Sequence, residues 1–265
     1  MKIIKMNKFI VGLPLNQKSV TNQFKEFLDS NVETIMVLAG TINMNPYLVT
    51  QEYKSCSIGY DMLFDAGYEF VKYEGLDITK LDSSKKIVIT LDDIWVNAEK
   101  NRTDPNIVGK TILDLMNSLS ILYKDKRIVM IAPGSPYLYN SVASYLFKYC
   151  PLIEVINTKS SAQLSYEEMD EQKLTEDLPM VIVPTHFRDG DFKTNSVNLI
   201  GCIGYVYKNY ERLDKLIAHI SDTDTLYSIK LGEENVVTKI SIEDLPKMFI
   251  RTPDYRPTTL AIVKH

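Results

Sequence analysis

The sequence predicts an α/β protein of two domains, a parallel-sheet N-terminal domain over residues 1–150 and a mixed-sheet C-terminal domain over 151–265. Three observations predict it. Short apolar, β-branched runs alternate with amphipathic stretches through the first half, the pattern of strands buried on both faces of a parallel sheet. Arg127 to Ser165 reads as one βαβ unit with a Pro-Gly turn at the carboxyl end of its first strand. The second half packs more strand-like runs into less chain, which suits a mixed sheet.

The elements follow in order. Lys8 to Val11 is the first strand, entering the loop Gly12-Leu13-Pro14. Ser19 is a candidate N-cap for a helix to about Asp29, with Phe24, Phe27 and Leu28 on one face. Val32 to Leu38 is the next strand, and Tyr60 to Tyr73 reads as helix then strand. Lys86 to Leu91 is a further strand. Asp104-Pro105 marks a helix start, a capping side chain followed by proline at the first helical position. That helix carries Ile107, Val108, Ile112, Leu115, Met116 and Leu119 at helical spacing. Ile128 to Ile131 is a buried strand, Pro133-Gly134 its turn, and a helix leads to a second strand at Leu152 to Ile156. The domain boundary is expected near Cys150-Pro151.

Beyond it, Gln163 to Glu176 reads as an exposed helix and loop, and Met180 to Val183 as a strand. His186 to Asn195 reads as a long hairpin or surface loop. Asn198 to Tyr205, Thr225 to Leu231, Val236 to Ile242 and Thr258 to Val263 are strands, and Leu213 to Ile220 a helix.

Composition excludes several functions. The net charge is −4, so there is no basic field for a nucleic-acid backbone. Cys56, Cys150 and Cys202 form no CxxC pair. Neither a zinc site nor a disulfide framework is therefore expected, and free thiols suit a cytoplasmic location. The N-terminal apolar run stops at Pro14, short of a signal-peptide core. No stretch approaches the ~20 apolar residues that span a bilayer. No Walker loop, GxGxxG or Ser-His-Asp pattern occurs.

Three short segments carry a resemblance: Ala132 to Pro136 (APGSP), Ile153 to Ala162 (IEVINTKSSA) and Arg256 to Val263 (RPTTLAIV). In order and spacing they resemble the tetrapyrrole methylase superfamily of S-adenosylmethionine methyltransferases. Asn101-Arg102-Thr103-Asp104, before a helix and the glycine loop, is similar to a motif of the borosin peptide backbone N-methyltransferases. The resemblance implies a cofactor cleft between the two domains and S-adenosylmethionine as cofactor. It implies a homodimer and an acceptor that is a separate precursor peptide, with a tetrapyrrole or other small molecule as alternative. A degenerate methylase fold that binds without catalysis is the other reading.

Residue by residue, the resemblance assigns Pro133, Gly134, Ser135, Pro136, Tyr137, Ser160, Ser161 and Thr258 to the cofactor. Arg102 would orient the acceptor carbonyl or stabilise developing charge. The chain departs from the family pattern at four places. Where the family opens with a strand followed by Gly-x-Gly and a nearby acidic residue, only Val11-Gly12 remains. Ser135 stands for the loop's usual Asp or His, Asn157-Thr158 for the Pro-Gly before the serine pair, and Asn106 for the borosin tyrosine. Trp95 lies near the place of another borosin tyrosine. Tyr139 is a second candidate for a ligand pocket, His186 with Arg188 and Asp189 for acid-base work, and Asp92-Asp93 for a metal pair or a strand-end turn. His219 and His265 have no assigned role.

Overall fold

The computed structural model describes residues 8–30, 34–38, 58–82, 84–91, 105–138, 141–150, 152–184, 187–201, 210–232, 234–248 and 258–265. The chain divides into two compact units. The first holds residues 1–14, 20–54 and 58–158; the second holds 15–19, 55–57 and 159–265.

The first unit is built on a six-stranded sheet of order β3-β4-β2-β5-β1-β6, with every pairing parallel. Its elements are β1 (Lys8–Leu13), α1 (Asn22–Asp29), β2 (Thr34–Leu38), α2 (Ile58–Asp65) and β3 (Tyr68–Lys72). After them come β4 (Lys86–Thr90), α3 (Pro105–Leu122), β5 (Arg127–Pro133), α4 (Ser141–Tyr149) and β6 (Glu154–Ile156). Connections β1→β2 and β2→β3 run one way across the sheet, and β4→β5 and β5→β6 run the other. Right-handed crossovers therefore put α1 and α2 on one face and α3 and α4 on the other. One core cluster joins Ile10, Ile35, Ile87, Ile89, Ile128 and Met130 to the inner residues of α3 and α4. Strand alternation sends Val11, Val129 and Ile131, all fully buried, to the opposite face.

The second unit carries a five-stranded sheet, β10-β9-β11-β8-β7. Its elements are α5 (Ser161–Glu171), β7 (Met180–Ile182), β8 (Ser196–Ile200), α6 (Tyr210–Ile217), β9 (Thr225–Lys230), β10 (Val236–Ile240), α7 (Leu245–Met248) and β11 (Thr258–Lys264). The sheet is mixed: β7 pairs β8 parallel and the remaining ladders are antiparallel. Two apolar clusters fill the unit, one under Ala162, Leu164 and Met169 of α5, the other under Leu213 and Leu216 of α6.

The predicted fold class is the observed one, with local corrections. The division falls after Thr158 rather than at Cys150-Pro151, because β6 hydrogen-bonds to β1 and so belongs to the first sheet. Thr21, not Ser19, caps α1, its side chain accepting the Phe24 N–H at 3.1 Å. Ser19 instead ties a turn: its hydroxyl accepts from the N–H of Leu15 and of Asn16 and donates to the Asn16 carbonyl. Ile107 is 57% exposed, since it lies one residue off the stripe Val108, Ile112, Leu115, Leu119 that faces the core. The helix expected to be exposed, α5, buries Ala162, Leu164, Ser165 and Met169. Of the two readings of the polar segment before β8, hairpin or surface loop, residues 187–195 follow the loop: β7 and β8 pair parallel, so they are not the arms of a hairpin.

Candidate ligand site at the strand ends

The carboxyl ends of β1, β5 and β6 meet in the first unit. Leu13 pairs with Pro133, and Val11 with Ile156, so the chain leaving β5 and the chain leaving β6 flank the end of β1 from both sides. Gly12 is where they close. A Cβ there would lie 2.6 Å from the Gly134 carbonyl oxygen, 2.9 Å from Pro136 Cδ and 3.0 Å from Thr158 Cγ2. Any side chain would push the loops apart, so the sequence needs glycine here. Gly134 has φ of 71°, a left-handed conformation open to glycine at low cost. Its N–H donates to the Leu13 carbonyl at 2.9 Å, which fixes the turn onto β1. Gly59 at the start of α2 abuts Leu13 and Pro14, and its N–H donates to the Pro14 carbonyl at 2.9 Å.

Ser135 is the hub of the loop. Its hydroxyl accepts the Tyr137 N–H at 3.3 Å and donates to Asn157 Oδ1 at 2.8 Å. The loop after β5 is thereby tied to the loop after β6. Ser135 and Pro136 are buried, whereas Tyr137 is 58% exposed and stacks on Phe147 of α4, centroids 5.3 Å apart and rings 14° from parallel. Tyr137 therefore sits in the turn before α4 at the rim, not in the core.

The structure thus brings together Pro133, Gly134, Ser135, Pro136 and Tyr137, the predicted cofactor residues of the first unit. The other three lie in the second unit. Ser160 caps α5 in a reciprocal box: its hydroxyl accepts the Gln163 N–H, and Gln163 Oε1 accepts the Ser160 N–H at 2.9 Å. The capping geometry thus accounts for the position of Ser160. Ser161 follows it and packs on Gly201, where a Cβ would lie 2.6 Å from the serine oxygen. Thr258 is buried at the start of β11, opposite Lys230.

Arg102, Asn101, Thr103, Asp104, Tyr139, Trp95, Asp92, Asp93 and His186 lie outside the described residues. Asn106 is exposed on the first turn of α3. His219 stacks on Phe192 at 4.6 Å with Phe187 edge-on, so it packs the crossover loop rather than a ligand site. Among the described residues no group of three or more His, Cys, Asp or Glu could hold a metal. Among them, too, no helix is long and apolar enough to cross a membrane.

A charged cluster of the first sheet sits at its opposite, amino end. Arg127, the first residue of β5, donates to Thr34 Oγ1 at 3.2 Å, to the Phe27 carbonyl at 3.3 Å and to the Ser30 hydroxyl, with its guanidinium 4.5 Å over the Phe27 ring. Burial lowers its pKa and raises that of nearby Tyr68. This cluster fastens α1 to the sheet and lies away from the strand-end loops.

Sequence reasoning missed two parts of this arrangement. Gly59 had a signal, a glycine at a helix start, but no way to know which strand it would meet. The partnership of Ser135 and Asn157 had none, because the two are separated by a whole helix and strand.

A parallel sheet of order 3-4-2-5-1-6, followed by a mixed five-stranded sheet, with glycine loops at the carboxyl strand ends, defines a two-domain α/β fold found among methyltransferases of known structure. One such structure is the uroporphyrin-III-C-methyltransferase from Thermus thermophilus, with a TM-score of 0.54 and 12% identity, covering 97% of this chain and 91% of that one. Cobalt precorrin-4 methyltransferase, a cobalamin biosynthetic enzyme, matches with a TM-score of 0.51 and 12% identity over 97% of this chain and 94% of its own. A cobalamin-synthesis-related protein from Corynebacterium diphtheriae gives 0.52 and 10% identity over 98% and 99%. No family model matches the sequence, and neither does any curated protein.

Proposed function

We propose that this chain is an S-adenosylmethionine-dependent methyltransferase acting on a small-molecule acceptor. The observation that carries the proposal is the closure of the loops after β5 and β6 on Gly12 of β1, with Gly134 in a left-handed turn. In open α/β sheets, ligands bind outside the carboxyl ends of the strands. The residues fit the cofactor: Gly134 carries no side chain to keep a ligand from the backbone of the turn, and Ser135 fixes the loop. Bound there, S-adenosylmethionine supplies an electrophilic sulfonium methyl, so the protein's task is positioning. The rigid turn Pro133-Gly134-Ser135-Pro136 suits that task, because its geometry is set before any ligand arrives.

The small-molecule acceptor is favoured by the solved structures of this fold, two of which carry the names of uroporphyrin and precorrin methyltransferases. The borosin-like acceptor, a separate peptide, rests on residues 101–104, which lie outside the described set. A homodimer is consistent with the resemblance and is part of the same proposal.

The test is transfer of a labelled methyl group from S-adenosylmethionine, with uroporphyrinogen III and, separately, co-encoded short peptides as acceptors. Label entering the tetrapyrrole, and lost in Gly134→Val, supports the reading. Label entering only a peptide would reverse the choice of acceptor. Label entering neither, with the cofactor bound, would point to a binding protein.

A further inference from the structure

We propose that Tyr137 and Asn157 form a recognition rim for the methyl acceptor, Tyr137 by stacking on a flat unsaturated ring and Asn157 by donating to an oxygen substituent at its edge. The inference rests on the methyltransferase reading of the site.

The Ser135 hydroxyl has one hydrogen. It accepts the Tyr137 N–H, so its own hydrogen goes to Asn157 Oδ1. That bond uses the acceptor end of the Asn157 amide and leaves its NH2 end, on an exposed side chain, as a donor pair. One oxygen therefore holds both the Tyr137 backbone and the Asn157 amide. Tyr137 and Asn157 are 20 positions apart in the chain, yet both touch Ser135 Oγ, at 3.3 and 2.8 Å.

The Tyr137 ring is equally fixed. Pro136 restricts the backbone before it, the Leu138 N–H closes the turn on the Ser135 carbonyl at 3.4 Å, and Phe147 covers one face of the ring. The residue is still 58% exposed. An exposed aromatic backed by a second ring, on a locked turn, is a preorganised stacking platform. It stands at the rim, whereas the glycine turn lies beneath it. A ligand that spreads across the rim, rather than one buried in the turn, is the one that meets both groups. A flat ring system with carboxylate or carbonyl substituents has that shape and chemistry; an extended peptide backbone lacks the ring.

The experiment uses the full chain and two probes. S-adenosylhomocysteine binding is followed by calorimetry, and binding of uroporphyrin III, a flat ring bearing carboxylates, by its absorbance. Tyr137→Ala is expected to weaken porphyrin binding about tenfold or more, as loss of one stacking ring does. Tyr137→Phe retains it, and Asn157→Ala weakens it several-fold. S-adenosylhomocysteine affinity stays unchanged in all three, which also reports that each variant is folded. Weaker S-adenosylhomocysteine binding in Tyr137→Ala would make this ring a cofactor contact and overturn the proposal. Porphyrin binding by the wild type that is indifferent to all three variants would overturn it as well. If the wild type binds S-adenosylhomocysteine but no porphyrin, the rim proposal falls and the methyltransferase reading stands. If it binds porphyrin in a Tyr137-dependent way but no S-adenosylhomocysteine, the platform stands and the methyltransferase reading falls.

Discussion

Ser135 and Asn157 are the two positions at which this chain departs most visibly from the pattern it resembles, and they turn out to be each other's partner. A Pro-Gly turn after β6 would hold itself by backbone stiffness. Here Asn157 is held instead by a hydroxyl reaching across from the neighbouring loop. The pair predicts a coupled double-mutant cycle. Ser135→Ala and Asn157→Ala should each cost about 1 kcal/mol in urea unfolding, and together little more than either alone. Additive losses would mean that the two loops are not tied through this bond. None of this was legible in the sequence, because a hydrogen bond between side chains that distant leaves no periodic trace. Gly134 was legible, since a Pro-Gly pair after an apolar run announces a turn that needs positive φ. Ser160 was legible only as a turn residue. Gln163, three positions on, is what makes it the cap of α5.

At the scale of elements, most of the strands and helices followed from spacing, and the exceptions share a cause. Period-based reading identifies an element but not what covers it. Ile107 fits the helical pattern yet faces solvent, whereas the polar helix α5 covers an apolar cluster with Ala162, Leu164 and Met169. The parallel pairing of β7 with β8 could not be read from a polar loop between two strands, since hairpin and crossover loops share that composition.

Close packing between elements gives a sharper prediction. Gly109 of α3 lies under Tyr145 of α4, where a Cβ would sit 2.7 Å from the tyrosine Cβ and Cγ. Gly109→Ala should therefore destabilise the first unit by about 1–3 kcal/mol through overpacking, despite the better helix propensity of alanine. A rise in the urea midpoint would contradict the packing.

In the second unit, Lys264 of β11 pairs with Asp224 at 2.5 Å, with side-chain exposures of 12% and 2%, and also donates to the His219 carbonyl. Burial pushes the Asp224 pKa up, but the bonds from Lys264 and Ser221 outweigh it and hold the carboxyl below its usual range. Lys264→Met leaves that carboxylate buried without its cation, an expected loss of about 3 kcal/mol. The sign of the pH dependence follows from the direction of the shift. A depressed carboxyl contributes stability at neutral pH and loses it as protonation sets in. Asp244, held to about 2 chiefly by Lys247, acts in the same direction. The unfolding midpoint should therefore fall as pH drops from about 4 toward 2, and less steeply in Lys264→Met. A midpoint flat across that window would contradict the assignment.

For the molecule as a whole, the class of fold was the most legible feature and the chemistry the least. Buried parallel strands have to be continuous apolar runs, and a strand-rich second half has to make a different sheet, so composition and period suffice. The sequence boundary missed only because β6, after the expected break, returns to pair with β1. Structures of the same fold share 10–12% identity with this chain, which is enough to preserve a core but not to carry a substrate. The proposed function therefore rests on the strand-end loops around Gly12.

The most direct test of that site is a calorimetric titration of the full chain with S-adenosylhomocysteine, repeated on Gly134→Val with its fold checked by circular dichroism. The loop geometry predicts saturable one-to-one binding by the wild type, weakened at least tenfold in the variant because valine cannot hold φ near 71° without strain. No binding by the wild type, or equal binding by a folded Gly134→Val protein, would contradict it.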